Sequence, residues 1–151
     1  MLKGIDPLLG PELLAILRAM GHGDEIAIVD ANFPAASSAR RLVRLDGVAA
    51  PEVARAILSV LPLDTFVPHA AFRMQVVDRP DEVPPVVREF EGHLAAANNP
   101  SAIEAIERFA FYERARNAYA VVATGELRYW GNLILKKGPI APKAQGKAQC
   151  A

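Results

Sequence analysis

The chain has 151 residues, of which 52% are apolar and 23% charged. That composition excludes a disordered chain and suffices for one domain with a sizeable core. Lysine plus arginine and aspartate plus glutamate number 17 each, so no net charge draws the chain to nucleic acid or to an anionic membrane, and self-association is unopposed. Cys150 is the single cysteine, which rules out an intrachain disulfide and fits a reducing compartment. No apolar run approaches the ~18 residues of a membrane span. The opening M-L-K-G-I-D-P lacks the apolar region of a signal peptide, so a cytoplasmic location is expected.

Gly10-Pro11-Glu12 predicts a helix start, because proline in the first turn gives up an N–H the helix does not need. Leu13, Ile16, Leu17 and Met20 follow at helical spacing, and Gly21 fits the position just past the helix end. Glu25 to Val29 is apolar on successive residues after the glutamate, the pattern of a strand covered on both faces. Asn32-Phe33-Pro34 turns the chain, and Ser37 to Arg44 is ambiguous, with Arg40, Arg41 and Arg44 on a solvated face. Pro51-Glu52 repeats the helix-start signal, and Val53, Ile57, Leu58 and Leu61 form a buried stripe that Pro62-Leu63-Asp64 ends. Ala70 to Val77 reads as a second strand, whose polar Arg73 and Gln75 are suited to an interface or a cleft.

After the proline-containing loop from Asp78 to Pro85, Val86, Phe90 and Leu94 mark a third helix, ending by Asn98-Asn99-Pro100. Ile103 and Ile106 suit a short strand, and Glu107 to Ala118 a fourth helix. Tyr119 to Thr124 is a strand closed by Gly125-Glu126, and Asn132 to Lys136 another closed by Gly138-Pro139. Residues 143–151 carry almost no large apolar side chain and are expected to form a disordered tail, leaving one domain over 1–142. Helices and strands alternate, so the class is α/β.

The stretch M-G-H-G-D-E-I-A-I-V-D-A-N-F from Met20 to Phe33 holds the parts of an acid/base site. His22 sits between two glycines, and Asp30 closes an apolar strand. Each can be read another way: His22 as a helix C-terminal cap, Asp30 and Asp64 as turn formers. Arg108 could be a surface charge, Tyr112 and Trp130 core aromatics, and Asn132 a partner of the backbone alone. No dinucleotide fingerprint, phosphate loop, nucleophile elbow or recognisable zinc spacing is present. What remains is acid/base chemistry or simple binding.

Several long segments in order then carry a resemblance. M-L-K-G-I-D-P-L-L, G-H-G-D-E-I-A-I-V-D-A-N-F-P, R-F-A-F-Y-E-R-A and V-A-T-G-E…Y-W-G-N-L-I-L-K-K-G resemble the RbsD/FucU family of sugar mutarotases, and within it the L-fucose mutarotase branch. The resemblance runs from Met1 to about Pro142. It implies a single-domain, three-layer α/β/α fold with a mainly parallel or mixed central sheet. It implies an isomerase that interconverts the anomers of a free monosaccharide, L-fucose or a related sugar, without cofactor or metal. His22 is then the proton donor. Asp30 and Arg108 contact the sugar, and Trp130, Gly131 and Asn132 line it. Asp64, Met74 and Tyr112 match positions implicated in the animal branch. The family commonly has tyrosine where this chain has Trp130, which removes a phenolic hydroxyl and points to a shifted sugar preference. Tyr129 is adjacent but points elsewhere if this segment is a strand. Closed oligomers, in several cases decamers, are also implied, with a site at the subunit interface. A non-catalytic sugar-binding or regulatory module of the same fold is the alternative.

The residue types suit the reaction. A pyranose changes anomer by opening: the C1 hydroxyl loses a proton, the ring oxygen gains one, the C1–C2 bond rotates and the ring recloses. That needs one acid and one base, and an imidazole, with an ordinary pKa near ~6.5, can take either role. Trp130 or Phe111 could supply an aromatic wall. Chain geometry adds an expectation of shared sites. At ~3.3 Å per residue, the eight steps from His22 to Asp30 span up to roughly 26 Å. Either the G-H-G turn folds back along the sheet, or one sugar draws on two subunits; the expectation is that one subunit contributes His22 and Asp30 or Arg108, and its neighbour the groups near Trp130–Asn132.

Overall fold

The computed structural model describes residues 1–99 and 102–142, so the expected tail at 143–151 lies outside the described residues. In chain order the elements are α1 (Pro11–Ala19), β1 (Glu25–Val29), α2 (Ala35–Ser38), β2 (Leu42–Leu45), α3 (Ala50–Leu58), β3 (Ala71–Met74), α4 (Pro85–Ala96), β4 (Ile103–Ile106), α5 (Arg108–Asn117), β5 (Ala120–Thr124) and β6 (Leu133–Lys136). The strands form one sheet in the order β2-β5-β1-β6-β3-β4. β1 and β2 run parallel to β5, and β3 runs parallel to β4. β6 is antiparallel to both its neighbours, β1 and β3. The carboxyl ends of β1, β3 and β5 therefore gather at the edge where β6 begins.

Strand alternation sends β1 to two cores. Ile26 and Ile28 join Leu13, Ile57, Phe90 and Leu94 from α1, α3 and α4. Ala27 and Val29 join Phe33, Phe111 and Ala115 on the side of α2 and α5. The result is the expected three-layer arrangement with a mixed sheet. Each fully buried large side chain such as Ile28 or Phe90 contributes roughly 1.5–3 kcal/mol. α1, α3 and α4 each carry proline in the first turn, and α5 is capped by Glu107, whose carboxylate accepts from Phe109 N and Ala110 N. No helix among the described residues is long and apolar enough to cross a membrane.

Several local expectations change. Gly21 does stand just past the C-cap of α1, as expected, but without the left-handed backbone common there. The helix ends through Met20 in extended backbone, φ −58° and ψ 136°, and the left-handed glycine is Gly23, φ 89°. Lys137 Nζ donates to the carbonyls of Leu17 and Met20 at 2.7 and 2.6 Å. Leu17 O is one of the orphan carbonyls of the last turn, and Met20 O belongs to the C-cap residue beyond it. The ambiguous stretch after Ser37 becomes the end of α2 followed by the edge strand β2, with Arg40, Arg41 and Arg44 exposed as expected. Gln75 lines a cavity with Asp78 and Arg108. Arg73 does not share that fate: it is buried in the sheet. Phe111 is fully buried in the core and is no sugar wall.

Candidate active site

The expected site residues fall into two clusters at opposite ends of the sheet. At the carboxyl end of β1, Asp30 faces Asn132, which precedes the antiparallel β6. Asn132 Nδ2 donates to Asp30 Oδ2 at 2.7 Å, and Asp30 N donates to Asn132 Oδ1 at 2.9 Å. Asn32 N donates to the other carboxylate oxygen at 2.9 Å. Burial pushes the Asp30 carboxyl above its ordinary range. The hydrogen bonds from Asn132 and from the N–H groups of Asn32 and Phe33 oppose that shift, and the charge of Glu126 adds to it.

Beside this pair lies a cavity of about 160 Å³, lined by Asp30, Asn32, Phe33, Met74, Arg108, Tyr112, Tyr129, Trp130 and Asn132. The Arg108 guanidinium lies 4.6 Å from the Phe109 ring centroid. Its Nε is buried without a hydrogen-bond partner among the described residues. A buried donor of this kind calls for an oxygen acceptor. Tyr112 packs against Phe33 at 5.3 Å between ring centroids. The cavity is smaller than the ~300–1,000 Å³ typical of a small-molecule site.

The segment before β6 is a turn, which corrects the reading of Tyr129. The strand begins at Leu133, and Trp130 adopts a left-handed backbone, φ 67°. Side chains do not alternate through such a turn, and Tyr129 lines the same cavity as Trp130. Tyr129 thus brings a phenol to the cavity beside the indole of Trp130. Gly131 is not among the lining residues. It is buried, and a Cβ there would come within 2.6 Å of Glu126 Cγ.

The second cluster lies at the other end of β1. His22 Nε2 is 3.1 Å from Asp64 Oδ2, with the imidazole 48% and the carboxylate 3% exposed. Asp64 Oδ1 accepts from Phe66 N at 2.9 Å. That N–H, then the His22 hydrogen bond and the charges of His22 and Lys136, hold the Asp64 carboxyl below its ordinary range against burial. An ionised carboxylate only accepts, so Nε2 is the donor in this pair. The Phe66 ring lies 5.7 Å from the imidazole. Gly23 N donates to Lys137 O at 2.8 Å, and Asp64 N donates to Lys136 O at 3.1 Å. Both halves of the dyad thus hang from the end of β6. A cavity of about 560 Å³ opens beside His22, lined in part by Leu14, Arg18, Val60, Pro62 and Lys137.

The G-H-G turn therefore does not fold back. His22 is tied to the carboxyl end of β6 and Asp30 to its amino end, with the five residues of β1 between them, a separation of order 16 Å. Asp30, Arg108, Met74, Tyr112, Trp130 and Asn132 come together and His22 and Asp64 form a separate pair, which corrects the expected division: Asp30 and Arg108 stand with Trp130 and Asn132 in one chain, not with His22, because the five residues of β1 separate the two ends. Sequence reading missed Phe66 and Lys137 beside His22, and Glu126, which it took only as the close of a strand.

The description of the family model that matches residues 3–140 is "RbsD / FucU transport protein family". The chain is 49% identical to the human fucose mutarotase over 146 residues, covering 93% of this chain and 95% of that protein. The crystal structure of the fucose mutarotase from Streptococcus pneumoniae in complex with L-fucose has a TM-score of 0.87 and 42% identity, covering 93% of this chain and all of that one. Bacillus subtilis RbsD complexed with D-ribose shares the fold at a TM-score of 0.73 and 21% identity, covering 93% of this chain and 100% of that one. With its family match, its fold and its sequence in agreement, the chain belongs to the RbsD/FucU family.

Proposed function

We propose that this protein is a mutarotase that interconverts the α and β anomers of L-fucose or a closely related free sugar. The observation that carries the reading is the half-exposed imidazole of His22 backed by the buried Asp64 carboxylate. Simple binding has no need of a titratable group held in one tautomer at the surface. The likeness to proteins named fucose mutarotase, one of them in complex with L-fucose, supports the choice of sugar.

In this reading Nδ1 of His22 moves the proton and Asp64 stabilises the imidazolium that forms. Ring opening takes a proton from the C1 hydroxyl and delivers one to the ring oxygen, and reclosure reverses both. Asp30, with Asn132 fixing its orientation, accepts from sugar hydroxyls. Arg108 Nε donates to a sugar oxygen, with Tyr112, Tyr129, Met74 and Trp130 around the apolar part of the ring.

His22 and Asp30 lie at opposite ends of one sheet, so a complete site takes His22 from a neighbouring subunit. Exposed apolar side chains mark both ends, Phe66 and Val60 near His22 and Phe109, Leu127 and Tyr129 near Arg108 and Trp130. A head-to-tail contact that joins unlike patches forms a ring where the rotation between copies closes and an open filament where it does not, and only the ring completes every site. The proposed setting is the cytoplasm, where the sugar is free.

Magnetisation-exchange NMR on equilibrated fucose, galactose and ribose is the test. Exchange between fucose anomers faster than in buffer supports the enzyme. Exchange no faster than in buffer, with the sugar still bound, would leave a binding module.

A further inference from the structure

The turn from Gly125 to Asn132 carries two cavity-lining aromatics, Tyr129 and Trp130, yet belongs to no helix or strand. Trp130 is held in a left-handed backbone that a bulky residue seldom adopts. Side-chain contacts within the turn and to its neighbours must fix it, and the buried carboxylate of Glu126 is at their centre.

We propose that Glu126 is a positioning residue for the sugar site, clamping the Trp130 turn through Arg128 and Gly131. Its side chain is 3% exposed. Oε1 accepts from Arg128 N at 3.0 Å and from Arg128 Nε at 2.8 Å. Oε2 accepts from Arg128 Nη2 at 2.9 Å. The guanidinium is thus gripped along one edge, while its Nη1 donates to Glu89 on α4. The Glu126 carbonyl accepts from Ala31 N at 2.9 Å, tying the turn to the residue after Asp30. Above the carboxylate, Gly131 packs so closely that only a glycine fits. The Arg128 hydrogen bonds, with help from the Ala50 N–H at the start of α3, keep Glu126 ionised against burial. The carboxylate therefore joins the start of α3 to the turn before Asn132 and, through Arg128, to α4, while the Glu126 backbone carbonyl holds the Asp30 loop.

The inference rests on the reading of Trp130 as a wall of the sugar site. Glu126 touches no sugar in this arrangement; it sets where Trp130 and Asn132 stand. Losing it should weaken binding more than it slows the proton transfer at His22.

Trp130 is the single tryptophan, so its fluorescence reports the turn directly, with or without activity. The experiment compares the wild type with Glu126→Ala, Glu126→Gln and Arg128→Gln. Each is measured for emission maximum, acrylamide quenching, and KM and kcat of fucose anomer exchange. Glu126→Ala should shift emission to the red, increase quenching and raise KM about tenfold, with kcat changed less than about threefold. Glu126→Gln keeps the acceptor and should recover part of both effects, and Arg128→Gln should shift both in the same direction. If Glu126→Ala does not fold, the other two decide. Unchanged emission and KM in folded variants overturn the proposal, as does a fall in thermal midpoint with neither moved. If the wild type itself gives no exchange, the mutarotase reading fails while the emission data still judge the clamp.

Discussion

Asp30 and Asn132, 102 residues apart in the chain, exchange two hydrogen bonds, 2.9 Å from the Asp30 N–H to the amide oxygen and 2.7 Å from the amide nitrogen to the carboxylate. The first bond fixes which end of the amide is oxygen, so the second must be a donation to Asp30. The pair locks the end of β1 to the start of β6 and leaves the carboxylate in one orientation. Asn132→Asp would face one buried carboxylate with another. The folded pair would then bind a proton that the unfolded chain releases above about pH 4. Stability should match the wild type near pH 4 and fall behind it by roughly 3 kcal/mol at pH 7. Urea midpoints at the two pH values check this.

Asp30 and Asp64 should give opposite pH signatures. The folded-state pKa of Asp30 is raised, so its contribution favours low pH and is lost as pH climbs from about 4 through the raised value. The folded-state pKa of Asp64 is lowered, so its contribution is present above about pH 4 and is lost as pH falls through the folded value. Relative to wild type, Asp30→Asn should gain stability as pH rises above 4. Asp64→Asn should lose ground as pH rises towards 4. Thermal midpoints from pH 2.5 to 7 separate the two, and parallel trends would contradict both assignments.

His22→Ala should remove the ~10²–10⁴-fold share of acceleration that a placed acid/base group supplies. The imidazole is about half exposed, so its removal opens no core cavity, and the thermal midpoint should stay within a few degrees of wild type. Asp64→Asn should cost less, because the imidazole remains and only its orientation and charge support are lost. Exchange rates and melting curves measured together test the order.

Trp130→Tyr would restore the residue common in the family. With Tyr129 in the same cavity, the variant has two phenols where the wild type has one phenol and one indole. Activity should persist, with the ratio of fucose to galactose exchange rates shifted. An unchanged ratio would place residue 130 away from the sugar.

Subunit exchange tests the shared site. His22→Ala and Asn132→Ala should each be inactive alone. Mixed under exchange conditions, they should regain part of the activity through interfaces that pair an intact His22 end with an intact Asn132 end. No recovery, with mixed oligomers confirmed by mass, would mean that both residues act within one chain.

The sequence announced the elements whose burial is continuous or strictly periodic. Glu25–Val29 is fully apolar after its first residue and became the third strand of the sheet order, covered on both faces. α3 and α4 carry their stripes at regular spacing behind a proline. What escaped depends on contacts between distant residues. His22 finds Asp64 across 42 positions, and Lys137 reaches the end of α1 from more than a hundred residues away. Nothing local in Y-W-G-N announces a left-handed tryptophan, since that conformation is imposed by the packing around it. Glu126 in T-G-E is one of many glutamates on the page, and its burial shows only when Arg128 and Gly131 close around it. Family resemblance supplied the residue roles, and the fold divided them between two places.

That division has a consequence for stoichiometry. In the proposed reading each chain is a tile with a proton-transfer half at one end and a sugar-holding half at the other, and neither half works alone. In an open row of such tiles, one histidine end and one sugar end are left without mates, so there is always one fewer working site than there are chains. Closing the row into a ring recovers the missing site. Dilution past the dissociation constant of the assembly should then extinguish activity in chains that remain fully folded, and the rate per chain should rise with concentration until every ring is closed.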